Sequence, residues 1–346
     1  MATNLPIANI TTGPDLNEHL CVTPMGFFEA FYLIMYSVLI VIAVLGNGSV
    51  VYIIVSDTRM RTVTNLFLIN LASADITKAI VCIPFTFTAN IIYNYWPFGA
   101  FMCSFVSYVQ VVAVFASAFT MVAMSIDRYI AILHPLRPKM THKGVCLVLF
   151  FMWVLAALAP LPTAIFSKIG PPNFDNSTEE CLKDMCAEEW PNSAMKTSYS
   201  LAIMLLQYFI PLAVLTFTYG RIGYIIWVKK PPGEAMVKMM IVVVLVYAVC
   251  WFPLHATQLI GDQDYRIYNA DNFKLVWNAF VWLAMSHACY NPLVYVWMNR
   301  RFRKGFQKIF KVCLCCCESQ TTPSRQPGTE CSMTLMRNGE TTQQSL

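Results

Sequence analysis

The sequence predicts an all-α membrane protein: a seven-transmembrane helix bundle with a short amphipathic cytoplasmic helix after the seventh span. Two observations indicate this fold class. Of the 346 residues, 57% are hydrophobic and 12% are charged, whereas a soluble domain carries about 25% charged residues. The apolar residues also gather in seven segments, each long enough to cross the roughly 30 Å hydrocarbon core of a bilayer as a helix.

Each of the seven segments is an apolar run bounded by polar connections. They cover residues 30–55, 63–95, 98–126, 144–167, 197–227, 239–261 and 275–298. Asp75 and Lys78 lie in the second segment, and Arg221 lies near the inner end of the fifth. A transporter or channel would need broken helices or a polar path through several spans, and two deep charges are too few for such a path. We therefore expect a bundle that does not conduct.

Basic residues predict how the bundle is oriented. Lys and Arg concentrate in the connections after the first, third and fifth segments and after the seventh, and short loops with such an excess stay in the cytoplasm. Residues 1–26 then form an extracellular N-terminal segment, and the seven-helix domain covers 27–299 in the plasma membrane. The first 25 residues lack a signal-peptide pattern, so we expect the first helix to act as an uncleaved signal.

The two sides of the membrane carry different surface features. Two sequons for N-glycosylation, at Asn9 and Asn176, fall on the predicted outer side. The net charge of +5 comes mostly from the cytoplasmic side and favours contact with anionic membrane lipid rather than with nucleic acid. Neither a metal site nor a cofactor is predicted.

The stretch 300–312 predicts an amphipathic helix on the cytoplasmic membrane surface. Phe302, Phe306, Ile309 and Phe310 fall on one face, and basic residues fall on the other. Residues 313–346 are expected to form a disordered cytoplasmic tail that begins with a group of cysteines. Cysteines beside such a helix are candidates for palmitoylation. These candidates are Cys313, Cys315, Cys316 and Cys317.

Four cysteines, Cys21, Cys103, Cys181 and Cys186, lie on the predicted outer side. That compartment is oxidising, so disulfides are expected there. Cys103 starts the third segment and Cys186 lies late in the connection after the fourth, so a bridge between them would hold this connection over the bundle. Cys181 is the alternative partner of Cys103, and we favour Cys186. A second bridge between Cys21 and Cys181 is a further hypothesis.

Polar, aromatic and proline residues recur in a fixed order along the seven segments. They are Gly46-Asn47, Asn70-Leu71-Ala72-Ser73-Ala74-Asp75, Asp127-Arg128-Tyr129, Trp153, Pro211 with Tyr219, Cys250-Trp251-Phe252-Pro253 and Asn291-Pro292-Leu293-Val294-Tyr295. Together they resemble the rhodopsin-like (class A) G-protein-coupled receptors, over about residues 27–317. The resemblance implies a receptor that activates a heterotrimeric G protein and is not itself an enzyme.

The resemblance also implies an activation switch on the cytoplasmic half. In the family, the arginine that corresponds to Arg128 is held by its neighbouring acid, here Asp127, and then meets the G protein. Pro253 and Pro292 are expected to kink their helices, and Trp251 lies just above the first kink. The expected switch residues are Asp127, Arg128, Tyr129, Tyr219, Trp251, Pro253, Asn291, Pro292 and Tyr295.

Many relatives have a second acid that restrains the arginine corresponding to Arg128, and this chain lacks it at the matching position. Many relatives carry an acid at the base of the sixth helix, where this chain has Gly233, with Glu234 one residue away. We therefore expect some signalling without ligand. The third inner loop is also short, because only residues 234–237 separate Gly233 from Lys238. This prompts one alternative interpretation, a weakly coupled or scavenger seven-helix protein.

Asp75 is a carboxylate near the middle of the membrane, where ionisable groups are costly and usually functional. A structural hydrogen-bond hub is the alternative. In the family the matching aspartate binds sodium with a serine and an asparagine, which correspond to Ser117 and Asn291. Lys78 departs from this pattern, because it lies one turn away on the same face as Asp75. Its ammonium is able to take the place of the ion, which puts sodium regulation in doubt.

At two positions in the predicted ligand pocket, this chain lacks the residue that a class of receptor requires, which excludes both classes. Biogenic amine receptors carry an aspartate where this chain has Gln110, and opsins carry a lysine where it has Met285. The outer connections hold more acidic than basic residues, with aromatic residues between them. Such a surface favours cationic, amphipathic peptides. A receptor for a lipid or another small molecule is the alternative, and it would have fewer acids around its pocket.

Two sets of motifs resemble the neuropeptide receptor branch. Residues 96–99 and 186–191 look like tachykinin and neuropeptide Y receptors, whereas 227–234 and 284–292 look like invertebrate leucokinin and RYamide receptors. Ligands of that group commonly end in an amidated residue. The candidate ligand-binding residues, carried over by position, are Gln110, Glu188, Trp190, Tyr199, Gln207, His255, Gln258 and Trp277.

The partners that the resemblance implies are a peptide outside the cell and a G protein inside it. Serines and threonines in the tail are candidates for receptor kinases, and phosphorylation there would add charge for arrestin to bind. His287 lies too deep for a peptide and is expected to serve helix packing instead.

Overall fold

The computed structural model describes residues 26–138, 140–171, 184–229, 234–263, 267 and 273–320. Within these residues, seven long helices form one bundle and an eighth follows it. They are α1 Phe27–Ser56, α2 Val63–Tyr93, α3 Gly99–Leu133, α4 His142–Phe166, α5 193–229, α6 Glu234–Gln263, α7 Phe273–Met298 and α8 Arg300–Gln320. Helices α1 to α6 are each long and apolar enough to cross a membrane. Helix α7 has 26 residues and packs against α1 and α6, which confirms the predicted seven-helix bundle.

Short polar side chains begin several of these helices. The hydroxyl of Thr62 accepts a hydrogen bond from the backbone N–H of Asn65 at the start of α2. Thr141 does the same at the start of α4, and the side chain of Asn192 does so at the start of α5. Each cap satisfies one of the backbone donors that a helix leaves unpaired at its first turn.

The third helix runs further than its apolar stretch. It continues to Leu133, whereas hydropathy alone predicts an end at residue 126. Asp127, Arg128 and Tyr129 therefore lie on the helix rather than after it. Hydropathy measures the length of the apolar run, and a helix can extend beyond that run into the polar head-group region.

Two helices widen just before a proline. A π-helical segment, Lys78–Cys82, precedes Pro84 in α2, and another, Leu205–Phe209, precedes Pro211 in α5. Proline has no N–H, and its ring clashes with the carbonyl one turn earlier, so the preceding turn has to open. Such π segments leave carbonyls available for other partners and are frequent at functional sites.

A two-stranded hairpin lies between α4 and α5 and was not expected from the sequence. Strands β1 Ser167–Gly170 and β2 Met185–Glu188 are antiparallel, with Ile169 opposite Cys186. Each strand has four residues, too few for an alternating pattern to be recognised. A disulfide joins Cys186 to Cys103 at the start of α3. The predicted pairing is thereby confirmed. The predicted glycosylation sites Asn9 and Asn176, and the other two outer cysteines, Cys21 and Cys181, lie outside the described residues.

Glycines allow two close contacts of α1. A Cβ atom added at Gly46 would lie 3.0 Å from Cγ of Pro292 in α7, and one added at Gly305 of α8 would lie 2.8 Å from Cδ1 of Ile53. Phe302 of α8 is fully buried, and its ring packs on Tyr295 at 5.6 Å. These contacts fix α7 and α8 against α1. The helix α8 continues beyond the predicted 300–312, so the backbone of the four cysteines at 313–317 is helical.

Candidate functional site

A buried polar cluster lies at the centre of the bundle, between α2, α3 and α7. The Nζ atom of Lys78 is 2.7 Å from Oδ1 of Asp75, and these side chains are 2% and 0% exposed. Asn291 donates from Nδ2 to the other carboxylate oxygen of Asp75 at 2.7 Å. Lys78 also donates to Oγ of Ser117 at 3.4 Å. The sequence-predicted hub residues therefore form one chain of contacts, in the order Ser117, Lys78, Asp75 and Asn291.

Hydrogen bonds between helices surround this cluster. Asn47 of α1 donates to the carbonyl oxygen of Ala288 in α7 at 2.8 Å. Trp153 of α4 donates to Asn70 of α2 at 2.8 Å, and Asn70 donates to the hydroxyl of Thr120 in α3 at 2.7 Å. Such bonds between apolar helices tie neighbouring spans together. These motif residues therefore stabilise the packing of the helices. Thr120 takes part in the same hydrogen bonds, although the sequence motifs did not include it.

His287 is fully buried on α7, one turn before Asn291. Its ring meets the ring of Tyr247 in α6 edge to face, with centroids 5.3 Å apart. Within the described part of the chain, neither ring nitrogen of His287 has a hydrogen-bond partner. This contact with Tyr247 is consistent with the predicted packing role.

At the end of the bundle that is predicted to face the cytoplasm, Asp127 holds Arg128. Nη2 of Arg128 lies 2.6 Å from Oδ2 of Asp127, and its Nε donates to the same oxygen at 3.0 Å. The hydroxyl of Thr64 in α2 donates to that oxygen at 3.4 Å. The adjacent acid and base therefore form an ion pair in this structure, with α2 as a third contact. Gly233 lies outside the described residues.

A small apolar cavity of about 10 Å³ lies between this ion pair and the polar cluster. Tyr219 and Tyr295 both contribute to its wall, and both side chains are buried. The remaining wall is apolar and flexible, with three methionines, and methionine repacks easily. The lining residues are Leu68, Met121, Met124, Tyr219, Met240, Val243, Val244 and Tyr295.

An aromatic column joins α5 to α6 above the cavity. Trp251 stacks on His255 with ring centroids 5.7 Å apart, and His255 lies 5.0 Å from the ring of Tyr208. The hydroxyl of Tyr247 donates to the carbonyl of Gln207, and Tyr208 donates to the carbonyl of Ala248. Gln207 lies within the π segment of α5, so widening of that turn provides the acceptor for Tyr247.

Tyr208 and Tyr247 were missed from the sequence. A tyrosine in an apolar helix resembles any lipid-facing aromatic residue, and only the three-dimensional contacts give these two a role. Pro211 was the available signal, because it predicts a disturbed turn in α5 immediately before it.

At the end of the bundle that is predicted to face outward, the hairpin brings three predicted ligand-binding residues together. The ring of Trp190 lies between two others. Its centroid is 4.3 Å from that of Phe166 in α4 and 4.8 Å from that of Tyr199 in α5. Its indole N–H donates to Oε2 of Glu188 at 2.8 Å. Tyr199 is fixed in turn by a 2.8 Å hydrogen bond to the hydroxyl of Thr163. The carboxylate of Glu188 is therefore held in place by Trp190, whose own ring is packed between two other aromatic rings.

The other predicted ligand-binding residues lie on separate helices. Gln110 is half-buried on α3, and Trp277 is half-buried on α7. Gln207 and His255 are buried in the aromatic column, and Gln258 is exposed on α6, beside His255. The structure therefore brings Glu188, Trp190 and Tyr199 together, and it places Gln258 beside His255.

Comparison with known proteins identifies relatives over most of the chain. The profile of the 7 transmembrane receptor (rhodopsin family) matches residues 46–295. The RYamide receptor of Drosophila melanogaster is 43% identical over 299 residues, which are 82% of this chain and 64% of that protein. The RYamide receptor of Tribolium castaneum is 37% identical over 313 residues, 85% of this chain and 84% of its own length. The Tachykinin-like peptides receptor 99D of Drosophila melanogaster is 35% identical over 314 residues, 83% of this chain and 58% of that receptor.

These relatives confirm the resemblance to the neuropeptide receptor branch. The family consists of membrane receptors rather than enzymes, in agreement with the prediction from the motifs. The matched region includes the polar cluster, the Asp127–Arg128 pair and the aromatic column. The chain therefore belongs to the rhodopsin family of seven-transmembrane receptors.

Proposed function

We propose that this chain is a receptor for an amidated, cationic neuropeptide of the RYamide type, and that it activates a heterotrimeric G protein. The observation that carries the proposal is the 43% identity to a RYamide receptor over 82% of the chain. That alignment covers 299 residues, far more than the motifs common to the family.

We assign the ligand to the space between the hairpin and the helices below it, called the outer cleft from here on, and the charge there favours a cationic ligand. Glu188 is half-buried and fixed by Trp190, and no described Lys or Arg pairs with its carboxylate. Its neighbour Glu189 pairs with Lys168 at 3.4 Å, where both side chains are more than half exposed. Glu188 is thus prepared to pair with a guanidinium or an ammonium group of the peptide, in the charge-assisted form that is strongest.

The carboxamide end of the peptide is assigned to the helices below the hairpin. Gln110 and Gln258 carry neutral amides, and each can both donate to and accept from a terminal carboxamide. A free carboxylate would instead bring a negative charge into an apolar cleft, which is costly. The peptide therefore enters with its amidated end first, while its basic residues stay near Glu188.

Activation requires that the peptide bind one state of the receptor more tightly than the other. We assign the structure to the resting state, in which Asp127 holds Arg128 and Tyr219 and Tyr295 lie in the wall of the small cavity. Peptide contacts with the outer part of the aromatic column shift α6 about Pro253. The inner ends of α5 and α6 then separate, Arg128 leaves Asp127, and a cleft opens for the α subunit of the G protein.

The proposal extends to the location and the modifications of the chain. It places the receptor in the plasma membrane with its N-terminus outside, glycosylated at Asn9 and Asn176. The basic face of α8 binds anionic lipid, and palmitoyl groups on the cysteines at 313–317 hold the helix to the inner leaflet. Kinases and arrestin act on the tail, of which residues 321–346 lie outside the described part of the chain.

A cell-based assay tests the proposal. The receptor is expressed with a promiscuous G protein, and calcium release is measured for RYamide-type and tachykinin-type peptides in amidated and free-acid forms. We expect a response to the amidated RYamide-type peptide at the lowest concentration. The matched control is Arg128→Ala at equal surface expression, which should be silent. Silence of the parent receptor towards all peptides, with normal surface expression, would refute the proposal.

A further inference from the structure

The buried carboxylate of Asp75 needs a positive partner. Its side chain is completely shielded from solvent, and a charge in such a place is stable only when it is paired and hydrogen-bonded. The rhodopsin family implies a sodium ion at this position, bound by the aspartate with Ser117 and Asn291. The oxygen atoms of these side chains are the type of ligand that hard cations prefer.

The residues present do not fit a sodium ion. The ammonium of Lys78 lies 2.7 Å from Oδ1 of Asp75 and 3.4 Å from Oγ of Ser117. These are the same oxygens that would bind the ion. A sodium ion in this cluster would meet a second positive charge at contact distance, in surroundings where repulsion is poorly screened. The other oxygen of Asp75 accepts a hydrogen bond from the amide of Asn291 at 2.7 Å.

The position of the ammonium follows from the fold of α2. Lys78 is three residues after Asp75, so the two side chains lie on one face of the helix. Lys78 also begins the π segment that precedes Pro84. Because the site is deep in the bundle, with Lys78 only 2% exposed, its side chain does not reach the membrane surface.

We propose that Lys78 is a built-in counter-cation for Asp75, and that this receptor consequently does not bind sodium in its core. Replacing the lysine by a small uncharged residue leaves Asp75, Ser117 and Asn291 around the vacated space. The same proposal therefore holds that such a variant gains a sodium site. In the parent receptor Asp75 joins α2 to α7 through Asn291, and Lys78 joins α2 to α3 through Ser117. Sodium concentration does not alter these links.

Thermal unfolding of the purified full-length receptor tests this inference without ligand or G protein. Midpoints are compared in sodium chloride and in choline chloride of equal ionic strength. We expect the parent midpoint to be the same in both salts. Lys78→Ala should unfold earlier than the parent in choline, and its midpoint should rise by several degrees as sodium saturates the new site, since a ligand bound only to the folded state stabilises it.

Three variants complete the design. The double variant Asp75→Asn/Lys78→Ala should lose the sodium response, because the carboxylate is gone. Lys143→Ala, at an exposed lysine near the start of α4, controls for loss of a positive charge and should behave as the parent. Lys78→Ser serves if the alanine variant does not fold, since its hydroxyl adds an oxygen ligand.

Two results would overturn the inference. One is a sodium-dependent rise in the parent midpoint, which would mean that the ion binds beside the lysine. The other is an absence of any sodium effect in a folded Lys78→Ala or Lys78→Ser receptor. Because the assay uses no peptide, failure here is separate from failure of the proposed ligand.

Discussion

Two adjacent glutamates after the disulfide, Glu188 and Glu189, have different surroundings. We use this difference to tell a ligand-binding carboxylate from an ordinary surface charge. Glu188 is half-buried and accepts a hydrogen bond from Trp190 at 2.8 Å. Glu189 is 59% exposed and pairs with Lys168, which is 58% exposed. An exposed pair of this kind contributes little, because water competes for both partners.

We expect Glu188→Gln to weaken the potency of the cationic peptide by roughly 10- to 100-fold. This corresponds to loss of a charge-assisted bond of about 1.5–3 kcal/mol. The matched control Glu189→Gln should change potency by no more than about twofold. Dose–response curves at equal surface expression measure both, and a peptide in which citrulline replaces arginine should lose its sensitivity to Glu188→Gln. Equal losses for the two glutamine variants would contradict the account.

Sequence reasoning located single residues well where a motif specified them. The juxtaposition of Asp75 with Lys78 follows from helical spacing, and contact with Asn291 follows from the family pattern. It did not find Tyr208 or Tyr247, because their hydrogen bonds depend on carbonyls in α5 and α6 that only the folded bundle brings into reach. Local spacing predicts neighbours on one helix, whereas contacts between helices need the packing.

At the level of elements, Gly46 allows helix α1 to pack closely against α7. A Cβ atom at Gly46 would meet Cγ of Pro292 at 3.0 Å, whereas one at Gly48 would meet no heavy atom within 4 Å. The two glycines are two residues apart on one helix and differ mainly in this contact. They form a matched pair for measuring what close packing of α1 on α7 contributes.

We expect Gly46→Ala to lower the stability of the receptor by about 1–3 kcal/mol, as overpacking does when a rigid ring cannot move away. Gly48→Ala should leave stability unchanged or raise it by up to about 1 kcal/mol, because alanine favours the helix over glycine. Thermal unfolding of the two purified variants beside the parent measures the difference. A Gly46→Ala receptor at least as stable as Gly48→Ala would show that the Pro292 contact is not tight.

Element boundaries show what hydropathy can and cannot provide. It located all seven spans, since each needs a long apolar run. It ended the third span at 126 although α3 reaches Leu133, and it gave no sign of the hairpin. The π segments Lys78–Cys82 and Leu205–Phe209 became understandable only together with the prolines that follow them, Pro84 and Pro211.

At the level of the whole molecule, the disulfide connects the outer hairpin to the bundle. Cys186 lies on β2, two residues before Glu188, and it bonds to Cys103 of α3. The Asp127–Arg128 pair lies at the opposite end of α3, from which we infer that the bridge positions the ligand site without contributing to the switch. The two ends can therefore be disturbed separately.

We expect the double variant Cys103→Ser/Cys186→Ser to lose peptide potency by at least tenfold, because Glu188 and Trp190 are no longer held over the cleft. Signalling without ligand, per receptor at the surface, should stay within about twofold of the parent. Removing a native disulfide also costs stability, typically about 2–5 kcal/mol, so surface expression is measured alongside. Unchanged potency in well-expressed receptors would contradict a positioning role for the hairpin.

The central claim is that the outer cleft recognises an amidated, cationic peptide, and direct binding tests it most closely. A labelled RYamide-type peptide is titrated onto the purified receptor in lipid nanodiscs, in its amidated form and as the free acid. We predict saturable binding of the amide and binding at least roughly tenfold weaker for the acid, since a charged terminus costs more to bury. Equal affinity for the two forms, or no saturable binding of the amide to folded receptor, would contradict the account.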